Sequence, residues 1–403
     1  DEELAETAAE QVRTLSFATL FQGKTHQTAA QLSEKLIELV PFDAGKVFFG
    51  CSGSDANDTQ IKLAWYYNNL LGRPKKKKII SRDNAYHGVT IGAASLTGMS
   101  VFHNDFDVPF DGVLRTDCPY FYRYGEPGES EDQYVDRLIH NLEELILRED
   151  PETIAAFIAE PVMGAGGVII PPEGYFPKVR AVLDKYDILL IDDEVICGFG
   201  RTGELFGCQA VGMKPDTMSM AKALSSGYAP ISAVAIPDAM YAEFRDASDK
   251  LGAFGHGYTY SGHPLSTAIA LKVLEIYEER GIYDHVKVVS RQFNKRMNAL
   301  NDHPLVGNAR SIGLLGAVQL VKNKETKELY GSDDGVGEFC AASCKKHGLL
   351  TRSSSDSLVF CPPLVVTEQE VDEIFDRLEA ALADTLDWLA KNSQTPQEVR
   401  DIA

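Results

Sequence analysis

Short apolar runs alternate with helix-like stretches across most of the first 240 residues, and few architectures tolerate that pattern. The runs at 47–49, 78–80, 155–158, 188–191, 217–220 and 232–236 are too short for helices and are largely apolar. Such runs suit strands covered on both faces. Apolar residues recur at helical spacing between several of them, as in 58–71 and 177–185. Strand, helix, strand in repetition is the pattern of an α/β fold with a mainly parallel sheet. The texture changes from Glu275. A long helical pattern runs towards Leu300, apolar runs follow at 314–320 and 358–361, and 368–389 carries Val371, Ile374, Phe375, Leu378, Leu382 and Leu389 at helical spacing. A chain of 403 residues exceeds one small core. The expected division is an N-terminal segment, 1–30, packed with the small domain. A large domain over 31–284 and a smaller α+β domain over 285–403 follow, with the polar end from 391 frayed.

Composition narrows the function. Apolar residues make up 44% and charged residues 24%, ordinary for a soluble globular chain. A net charge of −20 argues against nucleic acid, whose phosphates select basic surfaces. The Lys75–Lys78 run has no other basic cluster beside it and is expected to be a solvated connector. No run approaches the ~20 apolar residues of a membrane helix, and the acidic start DEELAETAAEQ is unlike a secretory signal. The first residue is not Met and the start is helix-like, so preceding residues are expected. Seven cysteines, with Cys340 and Cys344 one helical turn apart, form no metal or disulfide spacing. Buried reduced thiols and a cytoplasmic location are the expectation.

Four segments place reactive groups just after strands, where ligands collect in open α/β sheets. In FFGCSGSDANDTQIK, Ser52-Gly53-Ser54 lead into a helix expected near Asp55. Free N–H groups there make an anion seat, although a Ser/Asp N-cap alone would explain the residues. In KYDILLIDDEVICGFGRTG an apolar strand ends in Asp192-Asp193-Glu194. Three carboxylates there need solvent, a metal or a cationic ligand, and no His stands at ligand spacing for the metal. In PDTMSMAKALSSGYAPISAV, Lys222 sits among Ala221, Ala223 and Leu224. It is either a snorkelling surface residue or a desolvated amine suited to a Schiff base. In DNAYHGVTIGAASLTG, Tyr86-His87-Gly88 follow a strand, and an aromatic there either faces a planar ligand or fills the core.

Taken in order and spacing, these segments resemble the class III (subgroup II) pyridoxal-phosphate aminotransferases of fold type I. The resemblance spans nearly the whole chain, from THQTAAQLSEKL through GHGYTYSGHP and FCPPLVVT to the final helix, and DEVICGFGRTG with AKALSSGY is its most specific part. HGVT, AEPVMGAGG and TYSGHP resemble the ω-amine:pyruvate transaminases and the plant-type 4-aminobutyrate:pyruvate enzymes.

The resemblance implies pyridoxal 5′-phosphate as cofactor and assigns roles residue by residue. Lys222 should form the Schiff base and carry the reaction's proton. Asp193 should pair with the ring nitrogen, with Asp192 and Glu194 lesser candidates. Tyr86 should lie on one ring face and Val195 on the other, with His87 beside them and Glu160 near the ring hydroxyl. Gly53 and Ser54 should hold the phosphate, joined by Thr259 from the partner of a homodimer with shared active sites. Arg352 should pair with a substrate carboxylate and swing away from an amine without one, a task suited to a planar guanidinium. Leu20, Phe21 and Val89 should contribute to the substrate pocket, together with residues of a further N-terminal segment that the family carries. Two departures stand out. Ser355 replaces a usual Gly and should stiffen or redirect the Arg352 loop. Ile196 stands where glutamate-dependent relatives often carry Gln, which fits a pyruvate-dependent enzyme. On the same fold, decarboxylation, racemisation or mutase chemistry uses the same Lys and Asp, and 4-aminobutyrate with another keto acid is a further alternative.

Overall fold

A computed structural model describes residues 1–354 and 356–392. Ser355, where a stiffer loop is expected, and residues 393–403 of the tail lie outside the described residues. Strands β1 (Ala44–Gly50), β2 (Lys78–Arg82), β3 (Val113–Thr116), β4 (Ile154–Ala159), β5 (Leu189–Asp193), β6 (Thr217–Met220) and β7 (Ser232–Pro237) form one sheet in the order β1-β7-β6-β5-β4-β2-β3. The pairs from β6 to β3 are parallel. β7 runs antiparallel to both β6 and β1, so β1 points the same way as β2–β6 and only β7 is reversed. Every residue of β4 is buried, as expected of a strand covered on both faces. The carboxyl ends of β1, β2, β4, β5 and β6 therefore meet along one edge, and the four reactive segments follow from them.

A second, antiparallel sheet holds β8 (Val306–Ile312), β9 (Leu315–Leu320), β10 (Arg352–Ser354) and β11 (Ser357–Phe360), in the order β10-β11-β9-β8. The helices Ile282–Ala299 and Glu368–Lys391 pack together beside it, with Phe293 and Phe375 edge to face at 5.4 Å. Phe375 is fully buried, and truncating such a ring to Ala costs ~3–5 kcal/mol.

Several elements differ from the sequence expectation. The long helical pattern from Glu275 is two helices, Pro264–Glu279 and Ile282–Ala299, separated at Gly281 with φ +59°. That left-handed conformation ends the first helix at little cost only in Gly. Helix α1 (Glu2–Thr14), expected against the small domain, lies on Pro264–Glu279, and Arg280 pairs with Asp1 and Glu3. Helix α2 (Gln27–Leu39) buries Leu32 and Leu36 in the main core. Strand β3 lacks the apolar run that marked the others, because Arg115 occupies it and donates to the Ser95 and Thr97 carbonyls. The lysine run is not simply solvated. Lys76 is buried and donates to the Tyr186 and Asp187 carbonyls at 3.0 and 2.7 Å, capping the end of the helix Tyr175–Lys185. Among the described residues no helix is long and apolar enough to cross a membrane.

Candidate active site

The site begins at helix α3 (Gly53–Leu70), whose N-cap is Ser52. The helix starts before Asp55 because Ser52 and Asp55 form a reciprocal capping box. Asp55 accepts the N–H groups of Cys51 and Ser52, and Ser232 on β7 donates to it at 2.8 Å. Among the described residues the N–H groups of Gly53 and Ser54 are left without an acceptor. Gly53 has a steric reason as well. A Cβ there would lie 2.8 Å from Val195 Cγ1, so only glycine lets the helix start approach the loop after β5 this closely. The result is a small cradle with two free N–H donors and a valine wall, fit for an anion.

At the end of β5, alternation turns Asp193 to the opposite side from Asp192 and Glu194. Asp193 is buried, and three donors satisfy it: Asn57 Nδ2 at 2.7 Å, His87 Nδ1 at 2.8 Å and the Val195 N–H at 3.1 Å. Because a carboxylate only accepts, Nδ1 of His87 carries the hydrogen. Asn57 also donates to the His87 carbonyl at 2.8 Å, closing a ring of contacts. Glu160, after β4, accepts the N–H groups of Tyr86 and Gly164, each at 3.0 Å. Burial pushes the Glu160 carboxyl above its usual range; His87 opposes the rise and Asp193 adds to it. Tyr86 is half-buried, with its ring edge-on to Phe102 at 5.2 Å. Burial raises its phenol while the nearby Arg352 charge opposes the rise.

Lys222 opens a short turn after β6 with φ +44°, a conformation rare outside glycine. Such strain costs ~1–3 kcal/mol and persists where surroundings over-determine it. Here the buried Ala221 and Leu224 flank the residue, and Leu224 N–H bonds the Ala221 carbonyl at 3.0 Å. The side chain is exposed to the cleft rather than desolvated.

A cleft of about 1010 Å³ unites these groups: Gly53, Ser54, Tyr86, His87, Glu160, Asp193, Val195 and Lys222 line it, and Arg352 joins them from the second sheet. Thr259, Val89, Leu20 and Phe21 do not line it in this chain. Thr259, Val89 and Phe21 are exposed, and Leu20 and Phe21 lie against Gly262 and Gly257 in the loop that bears Thr259. Sequence reasoning missed Asn57 altogether. A signal was present: Asn57 and Gln60 share the face of α3 that carries Ile61 and Ala64, and both are buried. It also missed Phe102, Leu315, Thr351 and Cys361, which line the cleft from distant segments.

The sequence profile of the aminotransferase class-III family matches residues 1–382. The chain belongs to the class-III aminotransferases. It is 49% identical to a chloroplastic gamma aminobutyrate transaminase 3 of Solanum lycopersicum over 95% of this chain and 74% of that one. It is 48% identical to a mitochondrial gamma-aminobutyrate transaminase 1 of Oryza sativa subsp. indica over 96% and 75%. Among solved structures, the omega transaminase of Pseudomonas jessenii in complex with PMP superposes with a TM-score of 0.95 at 48% identity, over 97% of this chain and 86% of that one. A transaminase with L-Ala superposes equally well, at 0.95 and 49% identity, over 96% and 92%. Class-III aminotransferases are fold type I enzymes that use pyridoxal phosphate to move an amino group from a donor to a keto acid. The donor set of this chain fits that cofactor: free N–H groups and Ser54 for a phosphate, a buried carboxylate for a ring nitrogen, and an amine in the same cleft.

Proposed function

We propose that this aminotransferase passes the amino group of an amine or ω-amino acid to pyruvate, giving alanine, in two half-reactions at one site. The observation that carries the reading is a single cleft with Lys222 and buried Asp193 at its floor and Arg352 on the other sheet. The Gly53 and Ser54 N–H groups would hold the cofactor phosphate, Asp193 would accept a hydrogen bond from the ring nitrogen, and Tyr86 and Val195 would contact the ring. Bound there, pyridoxal phosphate supplies an electron sink for the carbon that loses its proton. Lys222 Nζ would anchor the cofactor and would carry a proton at the substrate carbon that bears nitrogen. Glu160 orients Tyr86 through its N–H, and Asn57 and His87 keep Asp193 aimed. Arg352 pairs with the keto-acid carboxylate and yields to an uncharged group. Ile196 lines the same cleft and offers no hydrogen bond there, which favours pyruvate over a longer diacid.

The exposed Thr259, with Leu20 and Phe21 against its loop, and the exposed Val89 support a homodimer in which these residues complete the partner's site. Residues 31–284 then form the cofactor-binding domain and 285–403 the small domain that brings Arg352. Seven free cysteines and the lack of a membrane-spanning helix among the described residues favour a reducing aqueous compartment, the cytoplasm. The test is a donor panel (4-aminobutyrate, β-alanine, a diamine, an arylalkylamine) against pyruvate, glyoxylate and 2-oxoglutarate. Alanine should form from pyruvate with at least one ω-donor. Activity with 2-oxoglutarate alone, or release of carbon dioxide without amino transfer, overturns the reading.

A further inference from the structure

Directly behind Asp193, on the face of β5 turned away from the cleft, three titratable groups share a sealed pocket. Asp192, Glu194 and Cys208 are fully buried, and their ligating atoms lie within 4.8 Å of one another. Glu194 is well provided for: Oε2 accepts the Gly207 N–H at 2.9 Å and Oε1 the Cys208 N–H at 2.7 Å. Asp192 is not. Among the described residues no N–H or hydroxyl donor reaches either of its oxygens, and the groups facing it are the Glu194 carboxylate, the Cys208 thiol, a weak donor, and Asp193 itself. Cys197, also buried, is the other titratable group facing the pair. Among the described residues no Lys, Arg or His forms an ion pair or hydrogen bond with Asp192.

Two adjacent carboxylates without a counter-charge need either a cation or a proton. A cation is poorly served here. Structural zinc is held by four residues and hard cations by six or more oxygens, whereas only three residues, two of them carboxylates, meet in this sealed pocket. The two N–H groups that point at Glu194 also make the place anion-selective. We propose that Asp192 is an un-ionised carboxylic acid that donates its hydrogen to Glu194, and that this acid–carboxylate pair is a positioning device for Asp193. The pair leaves one negative charge behind Asp193 instead of two. It also ties the turn that delivers the Val195 N–H to Asp193 onto the segment Gly207–Cys208. Burial supports the assignment, holding Asp192 well above the carboxylate range and Glu194 at about 7. Its consequence for catalysis rests on the reading that Asp193 faces the cofactor nitrogen, but its test does not.

The test uses the apoenzyme at neutral pH. Infrared difference spectra between wild type and Asp192→Asn should show a protonated-carboxyl C=O band in wild type. The band should move after refolding in heavy water and be missing in the variant. The pH profile of unfolding gives a second readout. A carboxyl whose folded-state pKa is raised stabilises at low pH, and this contribution fades as pH rises through the folded value. The Tm of wild type should therefore drop more between about pH 5 and 9 than that of Asp192→Asn, by at least ~2 °C. If the variant does not fold, carboxyl-labelled aspartate NMR of wild type should show one aspartate that keeps the shift of the acid at neutral pH. No such band or resonance, parallel Tm profiles, or stoichiometric zinc that Asp192→Asn abolishes would each overturn the proposal. An Asp193→Asn enzyme that keeps the band and full transaminase activity would instead count against the role of Asp193 and leave the Asp192–Glu194 pair standing.

Discussion

Replacing Asn57 by Ala isolates a residue that no reaction scheme mentions but that grips the candidate cofactor's carboxylate partner. Its Nδ2 makes two bonds, to Asp193 at 2.7 Å and to the His87 carbonyl at 2.8 Å, and the side chain is fully buried. A hydrogen bond to a charged group contributes ~1.5–3 kcal/mol and a neutral one ~0.5–1.5 kcal/mol. The two share one donor nitrogen, so they do not add fully, and a loss of ~2–4 kcal/mol in apoenzyme stability is expected. Most of that loss is common to the cofactor-free and cofactor-bound forms and cancels in the binding constant. What remains is the freedom Asp193 gains when two donors hold it instead of three. A weakening of cofactor affinity of ~10-fold, or ~1.4 kcal/mol, is the expected remainder. Urea unfolding of the apoenzyme measures the first quantity, and titration with pyridoxal phosphate followed by absorbance measures the second. If Asn57→Ala stays within ~0.5 kcal/mol of wild type, the range of an ordinary surface change, the contacts at Asn57 do not hold the site. Unchanged affinity beside a large stability loss would leave Asn57 a core residue with no bearing on Asp193.

Lys222→Ala should fold and keep below ~1% of wild-type turnover, because general-base catalysis alone contributes at least ~100-fold; more residual activity removes Lys222 from the chemistry. Arg352→Ala should lower kcat/KM ~10–100-fold for alanine or pyruvate, and much less for an uncharged amine such as 1-phenylethylamine. Equal losses in single-turnover bleaching would make Arg352 structural. Thr259→Ala chains mixed with Lys222→Ala chains should recover cofactor affinity at the site that keeps Lys222 and borrows Thr259. No recovery in the mixed dimer sinks the shared-site reading. Asp356 is pushed up to about 6, first by burial and then by Glu338. Its folded value lies above the ordinary ~3.9, so its contribution, present below pH ~4, fades as pH rises through about 6. Asp356→Asn should flatten that part of the Tm–pH curve, and an unaltered curve would show that Asp356 is not linked to folding.

The parts of this molecule that could be seen in the sequence share one property: each depends on residues close together in the chain. Local patterns place Asp193 at a strand end, Lys222 just after one, and a helix start near Asp55, two residues later than the observed Gly53. Six strands of the main sheet announced themselves as largely apolar runs. Strand β3 did not, since its stability comes from pairing with β2 and from Arg115 binding carbonyls of another segment. Lys76 in the lysine run is buried for a similar reason, as its carbonyl partners lie more than a hundred residues away. Asn57 gave a weak signal that only a partner could explain, and that partner sits 136 residues further on. Motif resemblance supplied Glu160 and Arg352, which no periodicity distinguishes from an ordinary acid and an ordinary surface arginine. The turn of helix at Gly281 was legible as a glycine but not as a boundary, because apolar spacing continues on both sides of it.

A division of labour follows from burial. Asn57, His87, Glu160 and Asp193 are held within the large sheet's edge by bonds to one another and to backbone, whereas Lys222, Arg352 and Thr259 are exposed. A group that must present one fixed dipole or charge gains from a packed, water-poor place, where no rearrangement is needed when the ligand arrives. In the proposed reaction Lys222 would instead trade bonds with cofactor and substrate, and Arg352 would approach one substrate and leave another. Burial would charge every such movement with desolvation of a cation. Rigidity is supplied to Lys222 by its backbone instead: the left-handed turn between the buried Ala221 and Leu224 fixes where the chain stands while the side chain stays free. The two groups of residues therefore differ in how substitution shows itself. Changes in the buried set register first in the stability of the apoenzyme. Changes at Lys222, Arg352 and Thr259 should leave apoenzyme stability near wild type and, on the proposed function, register only when cofactor, substrate or partner is present.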